Sequence, residues 1–117
     1  MFNTPYSSRM RTVNVECTVD AQEETIYTCP ANCQAHVSLL FFSNVGGTVT
    51  VDVEFDRADG THQHIVGGKN MGTGEYVQFS DGIVVMEPGD VFHITATGAT
   101  PHVDAMVTVE EFFLTPR

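Results

Sequence analysis

Asp81 to Gly98, DGIVVMEPGDVFHITATG, is the stretch whose reading decides the fold. Two apolar runs, 83–86 and 91–94, flank Glu87-Pro88-Gly89-Asp90. Proline presets a negative φ and glycine accepts a positive one, so Pro88-Gly89 fits positions i+1 and i+2 of a type II turn. The stretch therefore reads as strand, turn, strand, and predicts a β-hairpin. A second reading competes with it. His93 lies inside the stretch, His102 follows it and His62-Gln63-His64 precedes it, so the same residues can be read as half of a metal site. One reading makes the chain a building block and the other an enzyme.

The periodicity around the stretch is two. Val13, Val15, Cys17 and Val19 alternate with Asn14, Glu16 and Thr18, the pattern of a half-buried strand. Val49, Val51, Val53 and Phe55 alternate with Thr48, Thr50, Asp52, Glu54 and Asp56. Val103, Ala105, Val107 and Val109 alternate with Asp104, Thr108 and Glu110. Leu39-Leu40-Phe41-Phe42 is apolar on both faces and predicts a central strand covered on each side. No i, i+3, i+4, i+7 stripe lasts three turns, so no helix of consequence is expected.

Turn signals punctuate these runs: Cys29-Pro30-Ala31-Asn32, Asn44-Val45-Gly46-Gly47, Ala58-Asp59-Gly60 and the Glu87–Asp90 turn, with Gly67 to Gly74 as a longer loop. The predicted strands are 12–19, 24–29, 34–43, 48–56, 61–67, 75–79, 83–87, 91–97 and 103–112. Short strands at this spacing predict an all-β fold, a single antiparallel β-sandwich or jelly roll.

A chain of 117 residues has room for one domain. Fifteen acidic residues stand against five basic ones, and only Arg57 and Lys69 of the five lie between residues 12 and 116. Nucleic-acid binding needs clustered Lys and Arg to displace phosphate counterions, and anionic membranes need the same, so neither partner is expected. Residues 1–12, MFNTPYSSRMRT, hold no acid, two arginines and little periodicity. They predict an extended N-terminal arm ahead of a sandwich over 13–117, with Arg9 and Arg11 suited to an acidic neighbouring copy. Three cysteines, an odd set with no apolar leader before them, fit synthesis in a reducing cytoplasm.

The candidate chemistry is sparse. Cupins hold a metal with His, His, Glu and His, and His62, His64, Glu75 and His93 are the residues available for such a set. The spacing fails, because Glu75 follows His64 by eleven positions and Asp56 stands where the motif wants glycine. A solvated hairpin accounts better for His62 and His64, and the expectation is no metal and no cofactor. Cys29-x3-Cys33 with His36 is a permitted zinc spacing without a second pair, and Cys17 reads as a small core residue. Asp52, Glu54 and Asp56 form an acidic row on one strand face, expected to be solvated or to meet a basic partner. No nucleophile elbow, P-loop or dinucleotide fingerprint occurs, so catalysis is not supported. Glycan binding wants exposed aromatic platforms, and the chain has no Trp and three Tyr.

Several segments together resemble the small virion structural proteins of tailed bacteriophages, cyanophages among them. They are Glu24 to Ala31 (ETIYTCPA), His36 to Asn44 (HVSLLFFSN), Gly47 to Val51 (GTVTV), the Met86 to Asp90 turn and Val107 to Glu111 (VTVEE). The resemblance covers about residues 12–111 and is architectural rather than catalytic. It implies a β-sandwich that decorates or cements the phage head, or a neck or tail component. It also implies partners among the major capsid protein or other virion proteins, self-association, and a place in the virion after synthesis in the host cytoplasm.

Overall fold

The computed structural model describes residues 7–82 and 84–114. The first six residues of the expected arm, Ile83 and the last three residues lie outside the described set. Among the described residues nine strands form: β1 (Ser8–Cys17), β2 (Gln22–Thr28), β3 (Cys33–Asn44), β4 (Val49–Asp56), β5 (His62–Met71), β6 (Tyr76–Phe79), β7 (Val84–Met86), β8 (Val91–Thr97) and β9 (Val103–Phe113). All pairings are antiparallel.

One sheet runs β1-β9-β3-β6, with β7 also on β3, and the other runs β2-β8-β4-β5. β6 pairs with Leu40–Ser43 and β7 with Ala35–Val37, so the two share one edge of β3 end to end. Counted as one broken strand, they leave eight strands. The chain then changes sheet at every connection except the β4–β5 hairpin. This is the winding of a jelly roll, the all-β sandwich that the alternation predicts.

The core lies between the sheets. The inward side chains of β4 and β8, Val49, Val51, Val53, Phe92, Ile94 and Ala96, meet those of β3 and β9, Leu40, Phe42, Val103 and Val107. Each is essentially unexposed, and full burial of a Val, Leu or Phe side chain contributes about 1.5–3 kcal/mol. Phe55 and Phe92 pack with ring centroids 5.3 Å apart.

Four expectations change. Residues 81–98 are not a hairpin, because β7 pairs with β3 in one sheet and β8 with β2 and β4 in the other. The turn itself forms as expected: Asp90 N donates to Glu87 O at 3.0 Å and Gly89 has φ +88°. A type II turn twists against the sense that a two-residue hairpin needs and splays its flanking strands, which suits an arch between sheets. The Asp90 side chain, 2% exposed, locks this arch. Its oxygens accept from Ala58 N at 2.9 Å and Glu87 N at 2.8 Å, and Arg57 Nε lies 3.3 Å away.

The second change is at the front of the chain. Residues 8–12, expected as arm, pair with β9 from Ser8↔Phe112 to Thr12↔Thr108. Third, Gly67 to Met71, expected as loop, continue β5 through register shifts opposite Val51 to Glu54. Gly68, at φ +67°, donates its N–H to Asp52 Oδ1 at 2.7 Å, and this bond stabilises the bulge. Fourth, β3 is central as predicted but covered on one side only. Leu40 and Phe42 face the core, while Phe41 lies half-buried on the outer face against Tyr76, centroids 5.8 Å apart.

The cysteines do not build a zinc site. Cys17, Cys29 and Cys33 are free and buried, and His36 faces outward against the Phe112 ring. Burial pushes the Cys17 and Cys29 thiols up to about 11.

Candidate functional site on the outer face of the four-stranded sheet

Strand period two sends Asp52, Glu54 and Asp56 outward from β4 while Val51, Val53 and Phe55 point inward. The chain then reverses through Arg57–Gly60, where Arg57 N donates to Thr61 O at 2.8 Å and Gly60 takes φ +95°. Asp59 Oδ1 accepts from Thr61 N at 2.9 Å. The return strand sets His62 opposite Asp56 and His64 opposite Glu54. On the other flank β8 sets His93 opposite Glu54, and β2 sets Thr25 opposite His93. Two carboxylates on the middle strand are thereby flanked by three imidazoles.

The distances show which contacts form. His62 Nδ1 lies 2.7 Å from Asp56 Oδ1 and 3.8 Å from Glu54 Oε1. His93 Nε2 lies 3.1 Å from the other Asp56 oxygen, Oδ2. An ionised carboxylate only accepts, so Nε2 of His93 carries the proton; in the neutral ring Nδ1 then accepts from the Thr25 hydroxyl at 3.3 Å. His64 Nε2 stands 3.8 Å from Glu54 Oε2, and Glu23 Oε1 stands 3.9 Å from His93 Nδ1 at the rim.

The electrostatics follow from this packing. The neighbouring Asp56 carboxylate, with which Glu54 shares a hydrogen bond, pushes the Glu54 carboxyl above its ordinary value; burial adds to the rise. Burial also works to raise Asp56, but the bonds from His62 and Glu54 and the charges of His62 and His93 outweigh it and hold Asp56 low. The hydrogen bond to Asp56 raises His62.

The residues singled out by sequence are thus divided. His62, His64 and His93 do converge with Glu54 and Asp56, but on the outside of the sandwich. A cupin set would line the interior. Glu75 belongs to the connection after β5, beyond the Val49↔Met71 end of β4, some seven residues and roughly 20 Å from Asp56. The cupin arrangement is therefore absent from the described residues. His93 is a half-buried outer-face residue. Asp52 stabilises the β5 bulge, and Glu54 and Asp56 meet histidines of their own chain before any partner. Sequence reading missed Glu23 and Thr25; only the β2–β8 register brings them to His93.

Arg9 and Arg11, expected on a free arm, meet Glu111. Arg9 Nε lies 2.6 Å from Glu111 Oε1 and Arg11 Nη1 lies 3.1 Å from Oε2. The Tyr27 hydroxyl donates to Oε2 at 2.5 Å, and Glu111 itself is wholly buried. Burial pushes Glu111 up, yet the bonds from Tyr27, Arg9 and Arg11 hold it below the usual carboxylate range. The Arg9 guanidinium also lies over the Phe113 ring, 5.5 Å from its centroid. This network joins β1, β2 and β9 and serves the fold.

Three depressions on the described surface are small. About 300 Å³ opens beside His36 and Val85, about 210 Å³ over Phe41 and Met106, and about 180 Å³ between Arg57 and Pro88. These sit at or below the lower bound of ordinary small-molecule sites, near 300 Å³. Chemically, the histidine–carboxylate grid can bind a cation or exchange protons.

No protein-family model matches the chain, and no curated protein matches its sequence. Solved structures do match in fold. A chain of the disulfide-linked pili that form Bacillus endospore appendages aligns at 18% identity, over 92% of this chain and 89% of that one, with TM-score 0.60. A chain from the acidic-stable capsid of Helicobacter pylori bacteriophage KHP30 aligns at 12% identity over 91% and 89%, with TM-score 0.57. A chain from the capsid asymmetric unit of cyanophage Pam1 aligns at 14% identity over 92% and 85%, with TM-score 0.53. At these identities the likeness establishes the fold: this chain is an all-β sandwich similar to chains of phage capsids and a bacterial spore pilus.

Proposed function

We propose that this chain is a non-enzymatic structural protein of a tailed-phage particle, decorating or cementing the outside of the head in many copies. The observation that carries the reading is the chain-for-chain extent of the fold likeness. Both capsid chains are covered over 85% or more of their own length, so each is a subunit of about this size and not a domain of a larger shell protein. A single sandwich of this kind suits a subunit added to a shell that other chains build. Its partners are then the major capsid protein or other virion proteins, together with further copies of itself. The edge strands β1, β2 and β5 offer backbone groups for such contacts.

The likeness to a pilus chain favours a second reading, a neck or tail component in which copies stack around or along an axis. Cryo-electron microscopy of the particle that carries this chain separates the two. Density for the sandwich at repeating positions on the outer head supports decoration. Density confined to neck or tail establishes the second reading, and absence from purified particles removes both.

An arm that bridges neighbouring copies remains part of the proposal, carried by residues 1–6. A cut after Arg11 tests it poorly, because it also removes both arginines from the buried Glu111. A deletion of residues 1–6 keeps that network and should release the protein from particles without changing its melting temperature. Full retention on particles overturns the role of the arm.

A further inference from the structure

We propose that the outer face of the four-stranded sheet binds one first-row divalent metal ion, of which Zn²⁺ is the type, through His62, Asp56 and Glu54. The three side chains bring their ligand atoms within 4.8 Å of one another. In a tetrahedral site with metal–ligand bonds near 2.0–2.1 Å, ligand atoms stand roughly 3.3 Å apart. The observed separations from His62 Nδ1, 2.7 Å to Asp56 Oδ1 and 3.8 Å to Glu54 Oε1, bracket that value. Side-chain adjustments of about half an ångström bring both separations to it. Three protein ligands leave the fourth position to water.

Two features set this apart from an ordinary acidic surface. The first is the donor set. An imidazole nitrogen beside two carboxylates suits zinc, cobalt or nickel, whereas calcium and magnesium take oxygen ligands. The second is the support around it. His93 Nε2 holds the Asp56 oxygen that faces away from His62, at 3.1 Å, and Thr25 in turn fixes the His93 ring at 3.3 Å. Outer contacts of this kind orient ligands for a metal. The charge balance agrees, since Glu54 and Asp56 repel across one strand face and a divalent cation neutralises both.

The ion would clip β5, an edge strand, to the central β4. His62 is well exposed, so metal reaches the site from solution. Binding to the folded state alone raises the melting temperature, on the order of 10 °C at a free ion concentration one hundred times Kd.

The test uses the full chain, freed of metal by chelation and then titrated with ZnCl₂ by calorimetry and thermal melting. The expected result is one ion per chain with a saturable rise in melting temperature. MgCl₂ gives none. His62→Ala, on an exposed edge position, and Asp56→Asn should lose the rise, while His36→Ala on the opposite sheet keeps it. A second readout needs no variant. Paramagnetic Co²⁺ should broaden the NMR resonances of His62 ahead of those of His36 and His102. A flat titration, a rise that survives His62→Ala, or broadening spread evenly over all histidines overturns the proposal.

Discussion

A carboxylate with no solvent exposure, Glu111, is met by donors from two other strands: Arg9 and Arg11 of β1 and Tyr27 of β2. Removing the charge gives the two guanidinium groups and the phenol a neutral amide in its place; both arginines are part-exposed and are not stranded, so the loss is that of charged hydrogen bonds, about 1.5–3 kcal/mol. Glu111→Gln should therefore lower the urea midpoint at pH 7 by that equivalent. The pH dependence has a definite sign. The native carboxyl lies below its unfolded value near 4.3, so its contribution is full above that pH and is lost as pH falls through the native value. The gap between wild type and Glu111→Gln should narrow as pH drops from about 4.5 toward 2. A gap that stays constant shows that shape, not charge, holds the network. Half of this was legible in the sequence. Parity along Val103, Ala105, Val107 and Val109 puts residue 111 on the core side. Its partners were not legible, because they lie about one hundred residues away and a basic, acid-poor N-terminus reads locally as a free arm.

At the scale of the element, the Glu87–Asp90 arch shows what local chemistry can and cannot specify. Pro88 and Gly89 encode the turn type, and the structure returns it. They do not encode which sheet receives each flanking strand, and the twist of a type II turn was the only local clue. Gly89 carries the strain argument. At φ +88° an alanine is disfavoured by about 1–2 kcal/mol, and its Cβ would meet Ala58 Cβ at 3.1 Å. Gly60, at φ +95°, has open space around it. Gly89→Ala should thus destabilise more than Gly60→Ala in urea unfolding, and equal losses would mean the contact with the β4–β5 turn is relieved without effort. The far half of β5 makes a parallel case. Its glycines read as a loop, yet Asp52 bonds Gly68 N and the ladder resumes. Asp52→Ala should cost about 1 kcal/mol, and the amides of Gly68 to Met71 should exchange faster with deuterium than those of His62 to Ile65. Unchanged exchange would place the stability of that half in the ladder alone.

Over the whole molecule, the sequence carried the sandwich because alternation is a local signal repeated on every long strand. It did not carry the histidine–carboxylate grid, which exists only once β2, β8, β4 and β5 are in register. The same limit applies to charge: composition states the excess, and only the structure shows how little of it is answered. The formal net charge is −10, and three of the five basic residues are committed locally, Arg9 and Arg11 to Glu111 and Arg57 to Asp90. The remaining acids repel one another in the compact state, and folding works against that repulsion. Raising NaCl from about 20 to about 300 mM shortens the screening length from roughly 20 Å to roughly 6 Å. Long-range repulsion is screened by that change, while the Glu111 and Asp90 pairs, buried on their acidic side, are screened far less. In the presence of a chelator the melting temperature at pH 7 should therefore rise by a few degrees across this range. The rise should vanish near pH 4.6, where the net charge passes through zero. A melting temperature that falls with salt at pH 7 would mean the opposite balance, with local ion pairs outweighing the repulsion of the acidic surface.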